Sequence, residues 1–432
     1  MSPAALGGTS RVPDPDPIAT DYLRLALRLD QHLPGFVDGY FGPAAIKAQV
    51  DLESLRPPAL LATDAAGLRA RLAEEVSEPG RLAWLSVQLV AIEANARALV
   101  DAPAGYSGQA YLEHVRQCFD WVPERRPAAL FTEARAEVDR LLPGRGTTIE
   151  RLAAWDDGLV VPADRLEPLV DWLLAILRER ARIAFGLPDG EALRVALVSG
   201  QPWAAYNWYD GALRSRVDLN IDLPIRAPDL IGLLAHEAYP GHHLEHAWKE
   251  AQLVRLEGRL ESSILLINTP ECLISEGLAD LGRRFALSSA DEPELLVELL
   301  ERAQLAQRSD GMTTAELART AIALRLPRQR LGEFAVNAAL RRHVDGADHD
   351  TVRTEFGQAA LLTPARAEKR LEFIEHPLWR TYIFVYSEGE ALLGRWLELV
   401  PEADRPGRFR RLLVEQLTPA TVAGDLAGST AA

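Results

Sequence analysis

Trp203–Asn220 reads WAAYNWYDGALRSRVDLN, and Ala235–Glu250, just after it, reads AHEAYPGHHLEHAWKE. The first stretch is rich in aromatic residues. Arg216, Asp218 and Asn220 alternate with Val217, Leu219 and Ile221, the period-two pattern of a half-buried strand. Asp210-Gly211 falls between two short runs and favours a hairpin turn. Leu193–Ser199 (LRVALVS) has the same character. The second stretch returns to helical spacing and carries the densest group of metal-capable side chains in the chain. A small sheet is thus expected directly before a polar helix.

Outward from this point the chain reads as helix in both directions. Arg81–Val100, Pro127–Leu142 and Ala163–Ile183 place apolar residues at helical spacing. Breaks fall at Gly42-Pro43, Pro57-Pro58, Pro143-Gly144 and Pro188-Asp189-Gly190. The expected fold is mainly α, a large helical domain with a small embedded β-sheet beside the helix that carries the metal-capable side chains. Residues 1–16 are expected to be a disordered tail and 17–190 an N-terminal helical part. Residues 191–420 form the metal-site part, continuous with it, and 421–432 a flexible tail. No internal repeat is apparent.

Of the nine histidines in the chain, His236, His242, His243 and His246 fall within this one segment. His236-Glu237 opens like H-E-x-x-H, the zinc helix whose two histidines bind and whose glutamate activates water. Position 240 is proline, however. On a straight helix His242 would lie about 9 Å further along on the wrong face, and His243 roughly 10.5 Å away on the right one. Neither could share an ion with His236, since both nitrogens must approach zinc to about 2.0–2.1 Å. Pro240 clashes with the carbonyl four residues back and has no N–H, so it interrupts the helix. Gly241 then permits unusual backbone. If this turn bulges, one of His242 and His243 takes the missing place, with His242 the better candidate. A competing reading takes His242-His243-Leu244-Glu245-His246 as the inverted motif H-x-x-E-H, with His242 and His246 as ligands. His246 could also be a helix-surface residue pairing with Glu250.

A third ligand must come from elsewhere. Thr269-Pro270 is a helix start, with Thr as N-cap and Pro at the first position. Glu276 and Asp280 follow on one face, four residues apart. Glu276 is the expected ligand, and Asp280 the group that accepts the free N–H of a ligand histidine.

HEAYPGHH followed by SEGLAD resembles the bacterial family called domain of unknown function 885, placed with the gluzincin-type zinc peptidases. GFVDGYFGP (Gly35–Pro43), YNWYDGALRSRVDLNIDLP and RTYIFVYSEGEALL resemble further segments of it, so the resemblance spans most of residues 18–400. It implies a mostly helical fold with the metal in a deep cleft. By position it makes His236 and His242 ligands, Glu237 the base, Glu276 the third ligand and Asp280 its support. Leu278 stands where many members have tryptophan, which alters the pocket wall rather than the metal.

The expected function is zinc-dependent hydrolysis of an amide or peptide bond, with one zinc per chain. Zinc lowers the pKa of a water to about 7, and Glu237 takes its proton and can pass it to the leaving amine. Tyr386 is the first candidate to donate to the developing oxyanion and His243 the second. In the gluzincin-type sites that this chain resembles, an edge strand often lies beside the metal and pairs with substrate, and the strand with Arg214, Asp218 and Asn220 is the natural candidate. Alternatives are a zinc hydrolase of a non-peptide metabolite and a non-catalytic metal-binding protein. Keeping Glu237 beside His236 counts against the last.

Composition narrows the partners. A net charge of −15 argues against nucleic acid and against an anionic membrane surface. No apolar run reaches the length of a membrane span. Only Cys118 and Cys272 occur, and no signal-peptide pattern is visible, so cytoplasmic residence is expected.

Overall fold

The computed structural model describes residues 16–102, 104–201, 203–305 and 311–430. Apart from Asp16, the expected N-terminal tail lies outside these residues. Asp16 is the N-cap of the first helix, accepting from the Ile18 N–H at 2.9 Å. The fold is mainly α with two small sheets. The three long periodic segments are helices Pro79–Asp101, Ala128–Leu141 and Ala163–Phe185.

Among the described residues five strands form the sheets: β1 (Val37–Tyr40), β2 (Ala192–Val198), β3 (Ala205–Gly211), β4 (Arg214–Asn220) and β5 (Ile264–Leu266). β1 pairs antiparallel with β5, and sequence patterning gave no sign of this sheet. The other has the order β2-β4-β3, with β4 parallel to β2 and antiparallel to β3. The β3–β4 turn sits later than expected, on Ala212 and Leu213, both with positive φ. Glu250 holds it there, accepting from the Leu213 N–H at 3.0 Å and the Tyr209 hydroxyl at 2.5 Å. Glu250 is therefore spoken for by the hairpin rather than by His246.

A smaller hydrophobic core gathers Tyr22, Leu29, Trp84 and Leu89 with Ile264 and Leu266. The larger core draws its residues from between Tyr111 and Val422, including the buried faces of β4 and of the helix Ala227–Glu237. The cores therefore do not divide at residue 190. The C-terminus also differs from expectation, since Pro419–Thr430 is helix rather than flexible tail. The Thr418 hydroxyl accepts from the Thr421 N–H and caps the start. Val422 is fully buried, and Trp396 Nε1 donates to Asp425. These anchors outweigh the segment's small-residue composition.

Two helices cross tightly where the candidate site is built. Helix Pro270–Ala286 carries Gly277, and helix Val385–Glu398 carries Gly389. A Cβ on Gly277 would stand 2.4 Å from the Gly389 carbonyl carbon, and one on Gly389 would stand 2.2 Å from the Leu273 oxygen. Backbone cannot yield to such contacts as a flexible side chain can. Gly277→Ala is expected to force the helices apart and cost about 1–3 kcal/mol or more. A thermal melt reads this directly, and an unchanged melting temperature would show that the crossing is looser than described.

Candidate metal centre

The helix Ala227–Glu237 starts with Pro228 in its first turn and buries Leu230, Ile231, Leu234 and Ala235. His236 and Glu237 are its last two residues. A second helix, His242–Lys249, follows after a break. Across the break the Gly241 N–H donates to the Ala235 carbonyl at 2.9 Å, and the Leu244 N–H to the Ala238 carbonyl at 3.3 Å. Each bond spans six residues where a helix spans four. Two residues are thus extruded, and His242 falls where the fourth residue after His236 would stand. The Tyr239–Pro240 bond is cis. A Cβ on Gly241 would lie 1.8 Å from the His236 oxygen, so only glycine fits there.

This junction turns two imidazoles toward one point. His236 Nε2 and His242 Nε2 are 3.2 Å apart. Glu276 Oε2 lies 3.3 Å from the first and 3.8 Å from the second. Four-coordinate zinc with bonds of about 2.0–2.1 Å sets its ligand atoms about 3.3 Å apart. The three donor atoms have this spacing without rearrangement. Glu276 Oε2 is buried and has no hydrogen-bond partner, and such an orphaned carboxylate oxygen is costly unless a cation completes it. Burial alone would lower the His236 pKa. The nearby Asp280 and Glu276 carboxylates outweigh it and raise it well above the usual value. The residues present fit a divalent ion.

The surrounding groups fix these donors. Asp280 Oδ1 lies 2.9 Å from His236 Nδ1, which leaves Nε2 as the ligand atom. Tyr382 donates to Glu276 Oε1 at 2.6 Å, so only Oε2 is free. His242 Nδ1 lies 3.3 Å from the Ser275 hydroxyl, which donates to Glu245 at 2.6 Å. Glu245 in turn binds Lys249 at 2.7 Å, and Lys249 binds Glu271 at 2.8 Å. Asp280→Asn should weaken zinc affinity about 10–100-fold without abolishing it, the usual cost of losing such a partner. Equilibrium competition with a chromophoric chelator measures this. An unchanged affinity would mean that Asp280 does not support the site.

His242, Glu245 and His246 also bring ligand atoms within 4.8 Å of one another. Glu245, however, is engaged at both oxygens, by Lys249 and Ser275. Burial would raise its pKa, but the Lys249 ammonium and His242 hold it well below the carboxylate range. Its charge is already answered, whereas that of Glu276 Oε2 is not. The ring of His236, His242 and Glu276 is therefore the better candidate for a metal ion.

Glu237 lines the same cavity, of about 300 Å³, as the three ring residues. Burial raises its pKa, and the two histidines only partly counter this. Among the described residues its carboxylate accepts no hydrogen bond. Asn207 Nδ2 holds its main-chain carbonyl at 2.7 Å. Tyr386 also lines the cavity, 38% exposed, its ring edge-on to Tyr382 at 5.7 Å.

Two expectations for site residues are corrected. His243 is fully buried behind the site, bonded to the Ser215 hydroxyl at 2.7 Å and Glu191 at 2.8 Å. One residue along a helix turns a side chain by about 100°, so with His242 facing the cavity His243 faces the sheet. It cannot stabilise an oxyanion there. Arg214, Asp218 and Asn220 do not line the cavity either. β4 is the central strand, with its backbone paired on both sides. Asp218 accepts from Trp208 Nε1 at 2.9 Å, and Asn220 donates to the carbonyls of Gln201 and Trp203. The strand beside the cavity is β3, through Ala205, Tyr206 and Asn207. Sequence reasoning also missed Tyr382, Ser275 and Asp38. The four-residue spacing of Tyr382 and Tyr386 could have suggested a shared face.

No family model matches the chain, and no curated protein matches it. Among solved structures the chain is similar to one from Colwellia psychrerythraea described as a "putative lipoprotein". That likeness has a TM-score of 0.52 and 14% identity, covering 85% of this chain and 66% of the other. A second, from Shewanella oneidensis and described as a "putative lipoprotein of unknown function", gives a TM-score of 0.50 and 12% identity. It covers 96% of this chain and 83% of the other. At these identities the likeness concerns the fold alone. No helix among the described residues is long and apolar enough to cross a membrane.

Proposed function

We propose that the protein is a zinc-dependent hydrolase of amide or peptide bonds, with one zinc per chain held by His236, His242 and Glu276. The observation that carries this reading is the orphaned Glu276 Oε2 set 3.3 and 3.8 Å from two imidazole nitrogens. Zinc, when bound, supplies Lewis acidity for a carbonyl and lowers the pKa of a water toward neutrality. The chain's own groups do the rest. Glu237 takes the proton of the attacking water and returns it to the leaving amine, a role suited to a carboxylate whose pKa burial has raised. Tyr386, which lines the cavity, donates to the oxygen that gains charge. Asp280 and Tyr382 hold the ring in place.

The cavity is at the small end of ligand pockets. This supports a short peptide or small amide as substrate over a folded protein, and keeps a non-peptide metabolite as the second reading. The ring unites the HEAYPGHH and SEGLAD segments, which supports kinship with the domain of unknown function 885 family and its gluzincin-type relatives. Cytoplasmic residence belongs to the same proposal, supported by two free, buried cysteines. The test is a screen of short peptides, acylated amino acids and amide metabolites against zinc-loaded protein. Cleavage that a chelator stops and zinc restores is expected. Cleavage indifferent to chelator would overturn the reading.

A further inference from the structure

The cavity holding Glu237 and the ring carries Asp38, Glu245 and Glu271 as well, and among the described residues no lysine or arginine lines it. Charge does not balance there even with a divalent ion. The ion answers Glu237 and Glu276, and Lys249, behind the wall, answers one of Glu245 and Glu271. Among the described residues Asp38 has no lysine or arginine partner. It stands on β1, and among the described residues its one hydrogen-bond partner is the hydroxyl of Tyr206, which donates to Oδ1. Burial pushes its carboxyl up to about 7, as expected of an acid lacking a counter-charge.

Hydrogen-bonding capacity is lopsided in the same sense. Asn207 Oδ1 and His246 Nδ1 belong to residues lining this cavity, and both atoms are buried without a partner. His246 is itself only 8% exposed. Asn207 Oδ1 only accepts, and with the carboxylates of Asp38, Glu237, Glu245, Glu271 and Glu276 the wall offers acceptors in excess of donors. Beside Asp38 stand aromatic faces, Tyr206 with its ring centroid 5.7 Å from that of Trp203 and 4.5 Å from that of Trp208. An organic cation complements each of these features: it is all donor and no acceptor, and it is attracted to aromatic faces.

Building on the hydrolase reading, we propose that Asp38, with Tyr206 and Trp203, forms a subsite for a positively charged nitrogen group of the substrate, an ammonium or guanidinium. The substrate class narrows to cationic amides. Asp38 and Tyr206 determine specificity and are not catalytic residues.

Isothermal calorimetry on zinc-loaded protein tests this with benzamidine and its neutral isostere benzamide. Benzamidine should bind at least about tenfold more tightly, and Asp38→Asn should abolish the preference with zinc content unchanged. Phenylalaninamide and N-acetylargininamide then separate the two sources of charge, because the Asp38-dependent gain will follow either the N-terminal ammonium or the side chain. Equal affinity of wild type for benzamidine and benzamide would overturn the proposal without any variant being needed. A preference that survives Asp38→Asn would overturn it equally. Zinc content is assayed separately, so failure of the cation subsite and failure of the metal site give different results.

Discussion

Glu237→Gln is expected to keep its zinc and its melting temperature while losing about 10²–10⁴-fold in turnover, or about 3–5 kcal/mol of barrier. The substitution preserves side-chain size in a site where Glu237 is 9% exposed, so packing should not change. Its carboxylate is not one of the three ring donors, so metal content should not change either. Only the capacity to take and return a proton is removed. Comparison must be made at equal zinc content, using whichever chelator-sensitive substrate the screen yields. A variant that retains activity within about threefold would show that the glutamate is not the base. This is also the separation of enzyme from binding protein, because a binding protein has no use for a proton acceptor at this position.

The second large effect concerns the metal. His236→Ala and Glu276→Ala should each abolish zinc binding, whereas His246→Ala should leave about one zinc per chain. The first two remove atoms of the ring with its 3.2–3.8 Å edges. His246 contributes none. Its ring stacks on that of His242 at 5.9 Å and packs beside Tyr209 at 5.3 Å. Elemental analysis of protein purified without chelator gives the answer. Loss of zinc from His246→Ala together with retention in His236→Ala would reverse the assignment in favour of the inverted motif.

The ring was legible in the sequence because its logic is local. His236, Pro240, Gly241 and His242 lie within seven residues, and the clash that proline imposes on the carbonyl four residues back forces the interruption that brings the two imidazoles together. Glu276 and Asp280 were legible through their four-residue spacing. The groups that were missed are set by contacts between distant segments. Tyr382 reaches Glu276 only because Gly277 and Gly389 let two helices touch. Asp38 reaches the cavity on a strand of four residues paired with one of three, too short for period-two patterning to register. The error over Arg214, Asp218 and Asn220 has the same origin. An isolated hairpin would leave β4 with a free edge, but β2 pairs with it in parallel on the side that β3 leaves open. Nothing in the β4 sequence announces that partner.

The most direct test of the central claim is anomalous diffraction at the zinc edge from crystals of the zinc-loaded protein. The account predicts one ion about 2.0–2.2 Å from His236 Nε2, His242 Nε2 and Glu276 Oε2, bond lengths typical of such ligands. An ion found instead among His242 Nδ1, Glu245 and His246, or no ion at saturating zinc, would contradict it.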